Sequence, residues 1–125
     1  MNWIAEYIKD KEFVTVVTSG NFSLEDHARM IEDIVSRKFW KPGTDVLFDN
    51  RGLEFGQTDI EAMRRASTNH KENDDLIGDG KAAILMKSLT DFGRGRQFEL
   101  LASGKVSAKL KIFTDETAAL TWITG

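Results

Sequence analysis

What most constrains this chain is the alternation, along its whole length, of short strand-type runs with longer and capped helical periodicities. Residues 3–8 and 13–18 are rich in branched and aromatic side chains, and residues 9–12 between them read as a hairpin turn, so these runs should pair antiparallel. Gly20 closes the second run. Ser23 then offers a side-chain cap to a helix whose first turn carries Glu25 and Asp26, favourable at the positive end of the helix dipole. Leu24, Ala28, Ile31 and Val35 recur at intervals of four and three, widened by Met30 and Ile34, so a helix reaching Ser36 should lie over a sheet. Pro42 and Gly43 turn the chain into residues 46–49, a compact apolar strand that meets the turn formers Asn50, Arg51 and Gly52.

Thr58 followed by Glu61 has the spacing of a capping box, opening a second helix with Ile60, Met63 and Ser67 inward and an end before Gly78. Residues 81–87 read as a buried strand, and a third helix should run from about Gly93 to Ala102 with Phe98, Leu101 and Ala102 inside. Residues 107–113 alternate as a last strand, after which Asp115 caps a fourth helix that turns Ala119, Trp122 and Ile123 inward. The order is β-β-α-β-α-β-α-β-α. Right-handed crossovers then predict an α/β fold: a mostly parallel five-stranded sheet with an antiparallel N-terminal edge hairpin and four helices. With 125 residues, no internal repeat and no linker, the chain should form one domain over residues 1–125.

Composition excludes several function classes. A net charge of -3 and a pI near 5.4 argue against a nucleic-acid partner. The longest apolar run, residues 82–86, falls far short of the roughly 20 residues a membrane-spanning helix needs. The first ten residues lack the pattern of a signal peptide, and there is no cysteine, which together point to a cytoplasmic protein without disulfides or thiolate chemistry. His27 and His70 fall on different helices, read as surface or boundary residues, and form no zinc-binding pair. Asp91-Phe92-Gly93 has none of the companion motifs of a kinase, and Gly93 and Gly95 lack the rest of a dinucleotide fingerprint. No cofactor, no metal and no catalytic residue is expected.

Four segments carry a resemblance: residues 20–26 (GNFSLED), 40–51 (WKPGTDVLFDNR), 92–99 (FGRGRQFE) and 113–123. Together with the element order they resemble the STAS domain, the fold of bacterial anti-sigma-factor antagonists, and more narrowly STAS-like bacterial proteins related to the sporulation antagonist. The resemblance implies a non-enzymatic protein-interaction or regulatory module with a homodimer interface. The antagonists are switched by phosphorylation at the start of their second helix. Here that place is residues 57–60, where Thr58 keeps a hydroxyl while Gln57 and Ile60 depart from the pattern, and a helix cap accounts for Thr58. STAS-like topology is also similar to that of CRAL-TRIO lipid-binding domains, which implies a carrier of a small apolar ligand as the alternative.

Ligands of open parallel sheets bind beyond the C-terminal strand ends, which makes Asp49, Arg51 and Thr58 the candidate regulatory or ligand rim. Trp40 and Phe92, with Arg94 and Arg96 at an expected helix start, are the candidate interface, and Phe39 and Phe55 are balanced between interface and core. An apolar pocket between helices would favour the carrier, a flat aromatic patch the interaction module, and converging perturbed acids or bases an enzyme.

Overall fold

The computed structural model describes residues 1–125. The strands are β1 (Asn2–Ile8), β2 (Phe13–Asn21), β3 (Asp45–Glu54), β4 (Lys81–Leu85) and β5 (Lys109–Phe113). The helices are α1 (Leu24–Ser36), α2 (Ile60–Glu72), the single turn α3 (Asp74–Ile77), α4 (Leu89–Ala102) and α5 (Glu116–Thr124). One sheet holds all five strands in the order β1-β2-β3-β4-β5, with β1 antiparallel to β2 and every later pair parallel. The predicted mixed sheet is thus the observed one, with α3 as a fifth helix.

Strands added in one direction by right-handed crossovers place all the crossover helices on one face. Accordingly Val14, Val16, Val46 and Ala82 pack under α1, and Leu53, Ile84 and Ile112 under α2 and α4. The alternate residues Phe13, Leu47, Ala83, Leu85 and Phe113 point the other way, onto Ala119 and Ile123 of α5. Burial on both faces is why β4 reads as an unbroken apolar run. Beyond Phe13 and Ile8, the part of the second face formed by β1 and β2 stays uncovered: Ile4, 73% exposed, lies directly across from Val17.

Three sequence expectations are corrected. β3 does not stop at Asp49; it runs on through Asn50, Arg51 and Gly52 to Glu54. Its register against β2 slips between Val17 and Ser19, where two residues of β2 span three of β3. Thr18 Oγ1 holds this bulge by donating to Asn50 Oδ1 at 2.7 Å and to the Asp49 carbonyl at 3.2 Å. An extra residue inverts the alternation, so Leu53 and Phe55 face the same layer as Phe48 instead of the opposite one. Second, α4 begins at Leu89, capped by Ser88 Oγ on Asp91 N at 3.2 Å, so Gly93 and Gly95 lie inside it and Arg94 and Arg96 fall beyond its first turn.

Third, Thr58 does not cap α2. The cap is Asp59, whose carboxylate accepts from Ala62 N at 3.0 Å, while the Thr58 hydroxyl and N–H both donate to the Phe55 carbonyl. Ile60, expected inside, is 52% exposed. Asp59→Ala should therefore cost about 1 kcal/mol in urea unfolding and Asp59→Asn almost nothing, the usual pattern at a helix cap. A greater loss from Thr58→Ala than from Asp59→Ala would restore the original assignment.

Candidate functional site

Between the sheet and the layer of α1, α2 and α4 lies a cavity lined by 17 residues, 13 of them hydrophobic. It offers about 60 Å³ to the centres of water-sized molecules. β3 contributes Phe48 before the bulge, Asn50 within it and Leu53 after it, so the bulge is what turns Leu53 and Phe55 into the wall. α1 supplies His27, Met30 and Ile31, α2 Met63, Ala66 and His70, and α4 Gly95 and Phe98. Gly95 lets α4 approach closely, since a Cβ there would stand 2.9 Å from Ile112 Cγ2 and 3.2 Å from Met86 Cε. All four methionines of the chain, Met1, Met30, Met63 and Met86, line this one space. Their unbranched thioethers adapt to what they pack against.

Two imidazoles interrupt the apolar wall. His70 is 4% exposed and its Nε2 has no hydrogen-bond partner; His27 Nδ1 is likewise sealed and unpartnered. Both rings stand against Phe98, with centroids 6.4 Å away for His27 and 6.0 Å for His70. Burial first, and the nearby His70 second, push the His27 pKa down to about 4. Burial also lowers that of His70, against the pull of Asp74 in the other direction. Both rings are therefore neutral at pH 7. Asn50 is the remaining polar side chain of the wall, and its Oδ1 already accepts from Thr18. A smaller void of about 20 Å³, under Trp40 and Val35, shares Ile31, Phe48 and His70 with the main cavity, so His70 stands between the two. A wider depression at the end of α4, around Gly104 and Lys109, has no unpartnered buried side-chain atom in its lining.

The sequence read both histidines as surface or boundary residues; the burial of His70 overturns that, whereas His27 is half-buried, a boundary residue whose Nδ1 alone is sealed. A signal was present in the spacing. His70 continues the stripe of Met63 and Ser67 at intervals of four and three, and His27 lies between Leu24 and Ile31 on the inward stripe of α1.

The residues expected at a rim do not converge. Arg51 donates from Nε and NH2 to the Asp49 carboxylate, both at 2.9 Å, and from NH2 to Glu116 Oε2 at 3.1 Å. Asp49 is held below the usual carboxylate range, chiefly by the Arg51 hydrogen bonds. This pair thus engages α5 on one side of the sheet, whereas Thr58 leads into α2 on the other. Trp40 lies before β3, half-buried, with Nε1 donating to the Leu76 carbonyl at 2.8 Å. Phe92, half-buried, is at the other end of the strands with Arg94, which bonds Asp91 at 2.9 Å and the Gly56 carbonyl at 3.3 Å and lies over the Phe55 ring. Arg96 pairs with Glu99. Phe55 is buried against Phe22, and Phe39 is half-buried, stacked on Tyr7. No cluster of three or more metal-binding side chains is present, and no helix is long and apolar enough to cross a membrane.

No family model matches the chain, and no curated protein does. Among solved structures it is similar to an uncharacterized protein from the DUF3478 family with a SpoIIAA-like fold, from Shewanella loihica PV-4. The two superpose with a TM-score of 0.60 over 98% of this chain and 92% of that one, at 16% sequence identity. The fold of this chain is therefore SpoIIAA-like, the STAS-like architecture that its sequence resembles.

Proposed function

We propose that this chain is a non-enzymatic STAS-type regulatory module whose working element is the cavity under α1, α2 and α4, where it holds a small and largely apolar molecule. One observation carries the reading: two neutral imidazoles keep buried nitrogens unpaired in the wall of an otherwise apolar space. Each such atom costs the fold about 1–3 kcal/mol that an apolar side chain would not. An occupant that answers them gives that cost a use. The methionine lining supports the same reading, because a wall of thioethers accommodates a guest without breaking hydrogen bonds. A His27 pKa of about 4 makes that ring a weak base at pH 7, and neither unpartnered nitrogen meets a hydroxyl or carboxylate, which favours binding over catalysis.

Regulation would follow from where the cavity sits. Its roof is α2 and α4, whose starts carry the exposed Ile60 and Leu89, with Phe92, Arg94 and Arg96 close behind. A guest that moves Met63 or Met86 would alter the packing of these two helices, and with it any protein contact made at this end. The exposed pair Ile4 and Val17 favours a second reading, a protein partner or a second copy docked on the open part of the sheet. Native mass spectrometry of protein isolated from its own cells separates them: the cavity reading expects a small-molecule adduct on the monomer mass. The bare mass in every charge state, alone or as dimer, would contradict it.

A further inference from the structure

We infer that the guest carries a neutral hydroxyl on a slim apolar body, and that this hydroxyl pairs with the unpartnered nitrogens His27 Nδ1 and His70 Nε2. The inference rests on the reading of the cavity as a ligand site and adds the chemistry of the ligand.

The charge of the guest follows from the wall. The only charge carried by its 17 residues at pH 7 is the Met1 ammonium, already paired with the Asp26 carboxylate at 3.3 Å, since the titratable side chains in it are two histidines held neutral. A carboxylate or ammonium entering it would lose its hydration with no free counter-ion in return. The head group follows from the imidazoles. A neutral imidazole has one N–H and one lone pair, so an unpartnered nitrogen either gives one hydrogen bond or takes one. A hydroxyl does both and answers either nitrogen in either tautomer, whereas an ether or ketone oxygen can only accept. The width of the body follows from the volume. About 60 Å³ accommodates the centres of about four water-sized groups, so the guest is an alkyl chain or a small ring seated by displacement of methionine ends.

The test uses hexanol, its isomer methyl pentyl ether, and hexanoate, titrated against the wild type, His70→Leu and His27→Leu, with thermal unfolding showing that each variant folds. Hexanol should bind the wild type at least about tenfold more tightly than the ether, the worth of an answered buried polar group. Either leucine variant should narrow that preference while still binding both molecules. Equal binding of hexanol and the ether by the wild type would overturn the hydroxyl assignment and leave the cavity reading standing. Hexanoate as the tightest ligand, strengthening as pH falls, would overturn it in favour of an anion on an imidazolium. If none of the three binds, water is the occupant and both the inference and the cavity reading fall.

Discussion

Lowering the pH from 7 to 4 should remove about 3 kcal/mol of unfolding free energy, and His27→Leu should abolish most of that loss. In the folded protein His27 takes up its proton only near pH 4, against 6.5 in the unfolded chain, because of burial first and of His70 second. Between those values the unfolded chain binds a proton that the native state refuses. Stability is thus fully present above 6.5 and drains away as pH falls towards 4. His70 is displaced in the same direction by burial and adds to the loss. Asp33, Asp49 and Asp74, lowered by their hydrogen bonds to Arg37 and Trp3, to Arg51 and to Ser107, also lose stability in acid, but only below the ordinary carboxylate value of 3.8. Urea unfolding at pH 7, 5.5 and 4 keeps the two windows apart. A flat profile from 7 to 4.5, or an unchanged slope in His27→Leu, would mean that the imidazole is not sealed in the wall.

Gly78→Ala should be the more damaging kind of change, on the order of 4 kcal/mol, because two separate penalties meet at one residue. Gly78 ends α3 with φ +82, in the left-handed region, and an added Cβ would stand 2.1 Å from Gly43 N and 2.7 Å from the Pro42 carbonyl carbon. Neither is a flexible side-chain end that could move aside. The same Gly43 N–H donates to the Ile77 carbonyl at 2.9 Å, so the turn before β3 and the end of α3 are one packed unit. Gly56 is the control: its φ is +53, yet nothing lies within 4 Å of a Cβ there, so Gly56→Ala should cost only about 1 kcal/mol. Equal losses for the two in chemical denaturation would show that backbone angle alone sets the cost and that the close approach yields.

The sequence was most legible where one signal acts alone. Ser23 and Asp115 cap their helices as expected, accepting from Asp26 N and Ala118 N, and the apolar run of β4 is buried on both sides. It misled where a residue type has two uses. Asn50, Arg51 and Gly52 are turn formers in the abstract, but beside Thr18 they make a bulge that keeps the strand going. Gly95 reads only as a fragment of a dinucleotide fingerprint, yet its missing side chain is what admits α4 to Ile112 and Met86. Thr58 and Glu61 had capping-box spacing, but Asp59 next to them is the better acceptor and took the cap. The cavity was not visible in any single segment, because its wall is assembled from three helices and three strands. Its two imidazoles could have been suspected from their helical phase, though not their lack of partners, which depends on what the neighbouring elements bring.

The most direct measurement is made on the methionine methyl groups, since Met30, Met63 and Met86 are all buried and all lie in the cavity wall. With isotope-labelled methionine methyls, nuclear magnetic resonance spectra recorded during titration with hexanol and with methyl pentyl ether report on that space from three sides. The account predicts that the three buried signals move together and saturate at one equivalent, with hexanol saturating at the lower concentration. Signals that stay in place while surface resonances drift without saturation would contradict it, because the cavity would then hold nothing but water.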